Sequence, residues 1–167
     1  MKRLLYILTV GLLGVACSEN EEVFYSTDYP VVKVEVEATT PNGLEAEFVD
    51  LIAQIEAEAA ATAPIAAGGS YHLDFSRYNG GELTVCTAEG AEPIVGEFDK
   101  VPASNKLTLR YGEEAYEATL YSYTTEEGTR CVYFEINLTT YYKALYPALE
   151  NISFKVVRKE YTTHLYD

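Results

Sequence analysis

The chain has 167 residues, of which 12 are basic and 26 acidic, so its formal net charge is −14 at pH 7. Nucleic acids and anionic lipid surfaces select for clustered lysine and arginine, and this balance argues against both as partners. The 15 tyrosines, three cysteines and absence of tryptophan are the other unusual features of the composition.

A short basic start and an apolar run open the chain. Lys2 and Arg3 precede residues 4–15, a stretch too short to span a bilayer, which requires about 20 apolar residues. The small residues Gly14 and Ala16 then precede Cys17, as at the cleavage site of a secretory signal peptide. We therefore predict a leader over residues 1–16 and a mature chain that begins at Cys17.

The segment Gly14-Val15-Ala16-Cys17 resembles the lipobox of bacterial lipoproteins, although that box usually has Leu, Val or Ile where Gly14 stands. The serine and acids of residues 18–22 are similar to the export tag of surface lipoproteins of the Bacteroidota. This resemblance implies that Cys17 carries lipid and anchors the protein in the outer membrane, with the domain on the cell surface. The alternative is an ordinary signal peptide with a coincidental cysteine.

The first elements after the anchor are a tether, a strand and a helix. Residues 17–30 are polar and acidic, which predicts a tether before a single domain over residues 31–167. Valines at every second position over residues 32–36 predict a half-buried strand. Apolar residues at helical spacing predict one amphipathic helix over residues 44–61, although residues 44–48 would also fit a hairpin arm.

Everything after Gly68-Gly69 has the pattern of β-structure, and Asn79-Gly80 is a strong hairpin signal. Strands about ten residues apart without intervening helices favour an antiparallel meander. We predict an α+β, mostly β fold, in which a meander of about seven strands curls around the helix or partly closes into a barrel. The predicted strands are 71–76, 82–87, 93–98, 106–111, 115–124, 130–138 and 152–159, with one helical turn at 139–146.

The layout is similar to the small lipocalin-like and cystatin-like lipoprotein domains of gut bacteria, a likeness of architecture that does not fix function. The same apolar residues are buried whether the sheet curls or closes. The predicted core consists of Val34, Phe48, Ile52, Ile55, Leu73, Leu83, Val85, Leu107, Leu109, Leu120, Phe134, Ile136, Ile152 and Phe154.

If Cys17 is lipidated, Cys86 and Cys131 remain as an even pair in an oxidising compartment, which favours a disulfide. Both fall on the more polar face of their strands. Two cysteines must point to the same side of a sheet to form a cross-strand bridge, but this condition does not show that their strands are neighbours. A bridge closing about 45 residues would stabilise the fold by roughly 4 kcal/mol. The alternative is a reactive thiol.

The sequence offers little for catalysis. A serine or cysteine triad requires a histidine base, and the chain has only His72 and His164. Paired carboxylates for glycoside hydrolysis are an alternative, but 26 acidic residues do not indicate which two would be paired. His72 with Asp74 supplies two metal ligands where a site needs at least three. No phosphate-binding glycine loop is present. Lys155, Arg158 and Lys159 form a basic cluster that we interpret as a solvated strand edge. We expect a monomer that is not an enzyme, with no metal, no cofactor and no nucleic-acid partner.

Tyrosines are the remaining candidates for function. Tyr121 and Tyr123 lie on the strand face opposite Leu120, and Tyr133 lies opposite Phe134, so pairing of their strands would make an amphipathic patch beside Cys131. Such rings suit recognition of sugars or proteins, and they also suit cross-strand pairs that only stabilise a sheet. The first hypothesis is a binding module for a glycan, a protein or a small apolar ligand. The alternatives are an inhibitor of a secreted lysozyme or protease that acts through acidic turns at 113–114 or 126–127, and a structural envelope component.

Overall fold

The structure, a computed structural model, describes residues 27–40, 46–61 and 65–165. Eight antiparallel strands form one closed barrel, in which each strand pairs with the next and the last returns to the first. The predicted mostly β α+β fold is confirmed, with the sheet closed. The strands are β1 (Thr27–Thr39), β2 (Ser70–Arg77), β3 (Gly80–Cys86), β4 (Ile94–Lys100), β5 (Lys106–Tyr111), β6 (Glu114–Thr124), β7 (Arg130–Asn137) and β8 (Lys155–Leu165).

Two helices and one short turn complete the described chain. Helix α1 (Ala46–Ala61) follows β1, and α2 (Thr139–Leu145) with the 3₁₀ turn Pro147–Leu149 joins β7 to β8. Helix α1 packs beside β1 and adds Ile52, Ile55 and Ala59 to the core. The predicted leader, Cys17 and the tether up to residue 26 lie outside the described residues.

The core fills the barrel because inward and outward residues alternate along each strand. In β5, for example, Leu107 and Leu109 are buried while Lys106 and Arg110 are exposed. Eight strands enclose an interior just wide enough for side chains to fill. All the predicted core residues are confirmed: most are buried, and Val34, Phe48 and Ile152 are partly buried against the cluster.

The predicted hairpin between β2 and β3 is confirmed, but its loop is one residue earlier than the Asn79-Gly80 motif indicates. Arg77 pairs with Gly80, so the loop residues are Tyr78 and Asn79. Gly80 opens β3 with a φ of +154°, a region that favours glycine.

The first strand begins inside the segment predicted as a tether. Strand β1 starts at Thr27, and Tyr29 is buried, so residues 27–30 belong to the barrel. A register shift between Val31 and Lys33 then changes the facing of the strand, as a bulge does. Val31 is consequently buried and Val32 is exposed, contrary to the simple alternation of valines in the sequence.

The interpretation of residues 155–159 as a solvated edge is wrong. Strand β8 extends to Leu165 and lies between β7 and β1, so it has no free edge. Lys155 is exposed, but Arg158 is only 2% exposed and lies among the inward residues with Glu160 and Thr162. Barrel closure is the physical reason, because it places every second residue of β8 in the interior.

Candidate functional site

Four tyrosines from three neighbouring strands meet on the outside of the barrel. Tyr121 of β6 pairs in register with Tyr133 of β7, which pairs with Tyr161 of β8. Tyr123 lies two residues beyond Tyr121 on the same side of β6. We call this set, Tyr121, Tyr123, Tyr133 and Tyr161, the tyrosine face. The structure thus brings together the three tyrosines that the sequence singled out.

The rings of the tyrosine face contact one another. Tyr121 and Tyr133 are stacked with ring centroids 5.4 Å apart. The Tyr161 centroid lies 5.1 Å from both the Tyr133 and the Tyr123 centroids, and the Tyr123 ring is edge-on to it. Tyr121 is 43% exposed, whereas the other three rings are partly buried. The result is an amphipathic surface with Tyr121 as its most accessible ring.

Two hydroxyl groups of the tyrosine face are held by hydrogen bonds. Tyr123 donates to the carbonyl oxygen of Thr162 at 2.7 Å, and Tyr161 donates to the Glu35 carboxylate at 2.8 Å. Burial raises the pKa of Tyr161, and the hydrogen bond to Glu35 raises it further. The phenol therefore stays protonated at neutral pH, and its ring orientation is fixed.

Charged side chains border the tyrosine face on the β1 side. Lys33 contacts Glu35 at 2.5 Å and lies 5.3 Å from the centroid of the Tyr161 ring. Lys159 contacts Glu37 at 2.6 Å. The aromatic surface therefore has a polar rim containing both signs of charge.

The predicted disulfide between Cys86 and Cys131 is wrong. Both are free cysteines, and they lie on β3 and β7. β3 pairs with β2 and β4, whereas β7 pairs with β6 and β8, so the two strands are not neighbours. Both cysteine side chains lie on the outward side of their strands, as predicted. Cys131 is nevertheless buried, because it lies opposite Tyr123 in the register.

Sequence reasoning missed Tyr161. The predicted last strand ended at residue 159, two residues before it. Lys159 and Tyr161 share the outward side of β8, so continuing the alternation by one step was the signal that would have found it.

A polar cluster inside the barrel forms a second unusual feature. The Nε of Arg158 donates to Glu160 Oε1 at 2.7 Å, and Tyr71 donates its hydroxyl to Glu160 Oε2 at 2.5 Å. Burial raises the pKa of Glu160, against the opposing effects of Arg158 and Tyr71. Buried charges require pairing and hydrogen bonds. Both oxygens of Glu160 have them, whereas Nη2 of Arg158 has no hydrogen-bond partner.

Comparison with known proteins identifies no family for the chain. No family model matches it, and no solved structure matches it. The chain is similar to the bifunctional purine biosynthesis protein PurH of Chlorobium luteolum, with 32% identity over 132 residues. That match covers 75% of this chain but only 22% of PurH, so the chain spans about a fifth of that protein's length. Nothing about the activity of this chain follows from a match that covers so little of PurH.

The two histidines considered for catalysis or metal binding have other contacts. His72 Nδ1 lies 2.7 Å from Asp28 Oδ1 on β1, and His164 packs its ring against Tyr29. Within residues 27–40, 46–61 and 65–165, no group of three or more His, Cys, Asp or Glu side chains is arranged to hold a metal ion. In the same ranges, no helix has the length and apolar character needed to cross a membrane.

Proposed function

We propose that the protein is a lipid-anchored, non-catalytic binding module of the bacterial envelope, which docks a protein partner on its tyrosine face. The observation that carries the proposal is the contiguous set of four outward tyrosines with mutual centroid distances as short as 5.1 Å. A barrel needs no aromatic rings on its solvent side, because its core is already filled from the inside.

The arrangement of the rings favours a protein over a glycan. Tyrosine is enriched at protein interfaces because its ring buries apolar area at low entropic cost while its hydroxyl remains polar. Interfaces have an apolar centre and a polar rim, and the bordering pairs of Lys33 with Glu35 and Lys159 with Glu37 match that anatomy. Sugars pack on broad exposed ring faces, whereas most ring faces here are turned towards one another.

The charge of this domain and the rigidity of its tyrosine face also indicate what kind of partner would bind. The net charge of −14 would steer a partner with a basic surface towards the domain. The hydrogen bonds of Tyr123 and Tyr161 hold their rings in place, which lowers the entropy lost on binding. We therefore expect a partner with a basic, partly apolar patch.

Photo-crosslinking in the producing bacterium tests the proposal. Benzoylphenylalanine in place of Tyr121 should crosslink a discrete protein, and the same probe at Tyr78, which is 89% exposed on the β2–β3 loop, is the matched control. Tyr121→Ala should then reduce the affinity of the purified partner by about tenfold or more, as truncation of an aromatic hot-spot residue does. Equal crosslinking at both positions, or unchanged affinity for Tyr121→Ala, would remove the proposal.

The anchor is a separate part of the proposal and has its own test. Cys17 stands after the lipobox-like segment, and lipidation there would place the barrel at the outer membrane. Cys17→Ala should abolish labelling by a radioactive fatty acid and release the protein from the membrane fraction. Continued labelling of that variant would contradict the anchor.

Hydrolase inhibition and glycan binding are the alternative outcomes. The two acidic turns, at residues 113–114 and 126–127, flank opposite ends of β6, so one inhibitory loop would use only one of them. Stoichiometric inhibition in a panel of lysozymes and proteases would favour an inhibitor. Saturable signals on a glycan array that Tyr121→Ala abolishes would favour a sugar ligand on the same face.

A further inference from the structure

A pocket lies where the barrel interior meets the two helices. Its volume is about 130 Å³, and its walls come from α1, β6, α2 and β8. An adjoining pocket of about 340 Å³ shares part of its lining. Ala59, Glu114, Tyr116, Leu138, Tyr141, Tyr142 and Arg158 line the smaller pocket.

Arg158 is the unusual member of this lining. Its side chain is 2% exposed, and its Nε is used by Glu160, yet Nη2 is buried with no hydrogen-bond partner. A buried N–H group without an acceptor is unfavourable and rare in folded proteins. Arg158 itself lines the pocket, so an acceptor oxygen placed against its guanidinium group would satisfy this donor.

We infer that this pocket binds a small carboxylate, with one oxygen accepting a hydrogen bond from Arg158 Nη2 and the apolar remainder against Tyr116, Leu138 and Tyr142. Guanidinium groups bind carboxylates through charge-assisted hydrogen bonds that are stronger than neutral ones. Arg158 is the cation among the lining residues, and its guanidinium group offers only N–H donors, so a ligand group that can only donate is disfavoured beside it. The carboxylate of Glu114 also lines the pocket, and a singly charged anion meets less repulsion from it than a phosphate.

The size and character of the walls restrict the rest of the ligand. A volume of about 130 Å³ is below the range of about 300–1,000 Å³ typical of drug-sized ligands. Tyr116 lies beside the guanidinium, with Arg158 Cζ 6.0 Å from its ring centroid. Flat aromatic carboxylates fit walls of this kind. This inference does not rest on the tyrosine face, which lies outside the barrel.

An NMR titration of the ¹⁵N-labelled full chain with benzoate tests the inference, and benzamide is the neutral probe of the same shape. Benzoate should cause saturable shifts in the amides around Leu138, Tyr141 and Arg158. It should bind at least about fivefold more tightly than benzamide, because only the carboxylate brings a negative charge to the guanidinium group, whereas the amide oxygen is a neutral acceptor. Absence of saturable shifts, shifts elsewhere, or equal affinity of the two probes would overturn the inference.

Arg158→Lys would test the donor directly, but it alters a buried ion pair and so puts folding at risk. Variants at the pocket rim avoid this risk. Glu114→Gln removes a like charge and should tighten benzoate binding by about two- to fivefold. Tyr141→Ala removes an exposed wall and should weaken it, whereas Tyr78→Ala should leave it unchanged. Unchanged affinity for both rim variants would also overturn the inference. Tyr121→Ala should not alter benzoate binding, so failure of the tyrosine face and failure of this pocket are distinguishable.

Discussion

Two of the ion pairs on strand β8 have similar chemistry in opposite environments. On its inner side, Arg158 contacts Glu160 at 2.7 Å, with side chains 2% and 0% exposed. On its outer side, Lys159 contacts Glu37 of β1 at 2.6 Å, with side chains 24% and 52% exposed. The distances are nearly equal, so a difference in what the two pairs contribute does not come from the separation of their charged atoms.

The comparison shows that geometry alone does not determine what an ion pair contributes. Water screens the outer pair, and exposed pairs typically contribute about 0–1 kcal/mol. The inner pair has lost its hydration, so each charge depends on the other and on Tyr71 for compensation. Variants on the two sides of one strand can therefore separate the effect of burial from that of distance.

The largest expected effect comes from breaking the inner pair. Arg158→Met should lower the free energy of unfolding by about 3–5 kcal/mol at pH 8, because it leaves Glu160 buried without its cation. Lys159→Met, the matched outer variant, should lower it by about 1 kcal/mol or less. Urea denaturation followed by circular dichroism measures both. Equal losses would mean that burial does not separate the two pairs.

The pH dependence of that loss sharpens the comparison. Burial already raises the pKa of Glu160, and removal of Arg158 removes an opposing effect, so the pKa should rise further. A group whose folded pKa is raised has its full stabilising contribution below its unfolded pKa, near 4.5, and loses it as pH rises through the folded pKa. The penalty of Arg158→Met should therefore be small near pH 4.5 and increase towards pH 8. A penalty independent of pH would contradict this account.

Two tyrosine hydroxyl groups allow the same comparison between the inside and the outside of the barrel, with smaller expected changes in the free energy of unfolding. Tyr71 donates to Glu160 inside the barrel, and Tyr161 donates to Glu35 outside it. Tyr71→Phe should lower the free energy of unfolding at pH 8 by about 1.5–3 kcal/mol, the range for a hydrogen bond to a charged group. Tyr161→Phe should have a clearly smaller effect, because water can replace the lost donor. Thermal and urea unfolding of the two variants give the comparison.

The outer features of the molecule were largely predictable, and the inner polar ones were not. Alternation in β6 and β7 placed Tyr121, Tyr123 and Tyr133 on one side, since that pattern is local. Val156 and Val157 are adjacent and both apolar, so the sequence does not show which residues of β8 point into the barrel. The pairing of β8 with both β1 and β7 determines which of its residues point inward, and it places Arg158 among them.

The cysteines illustrate the same limit. Local alternation correctly placed Cys86 and Cys131 outside the barrel, but a disulfide also requires neighbouring strands. Which strands are neighbours depends on the order of pairing around the closed sheet, and that order separates β3 from β7.

The smallest expected effect is a change in a single pKa on the outer side. Hydrogen bonds from Lys33 and then Tyr161 lower the pKa of Glu35 below its ordinary value of 4.5. Tyr161→Phe removes the second donor and keeps the first, so the pKa of Glu35 should rise while staying below that value. NMR titration of the Glu35 side-chain carboxyl in both proteins measures the change, with Tyr78→Phe as the control. An unchanged pKa would show that Tyr161 is not held by Glu35 in solution, and the ring would then lack the fixed orientation on which tight docking depends.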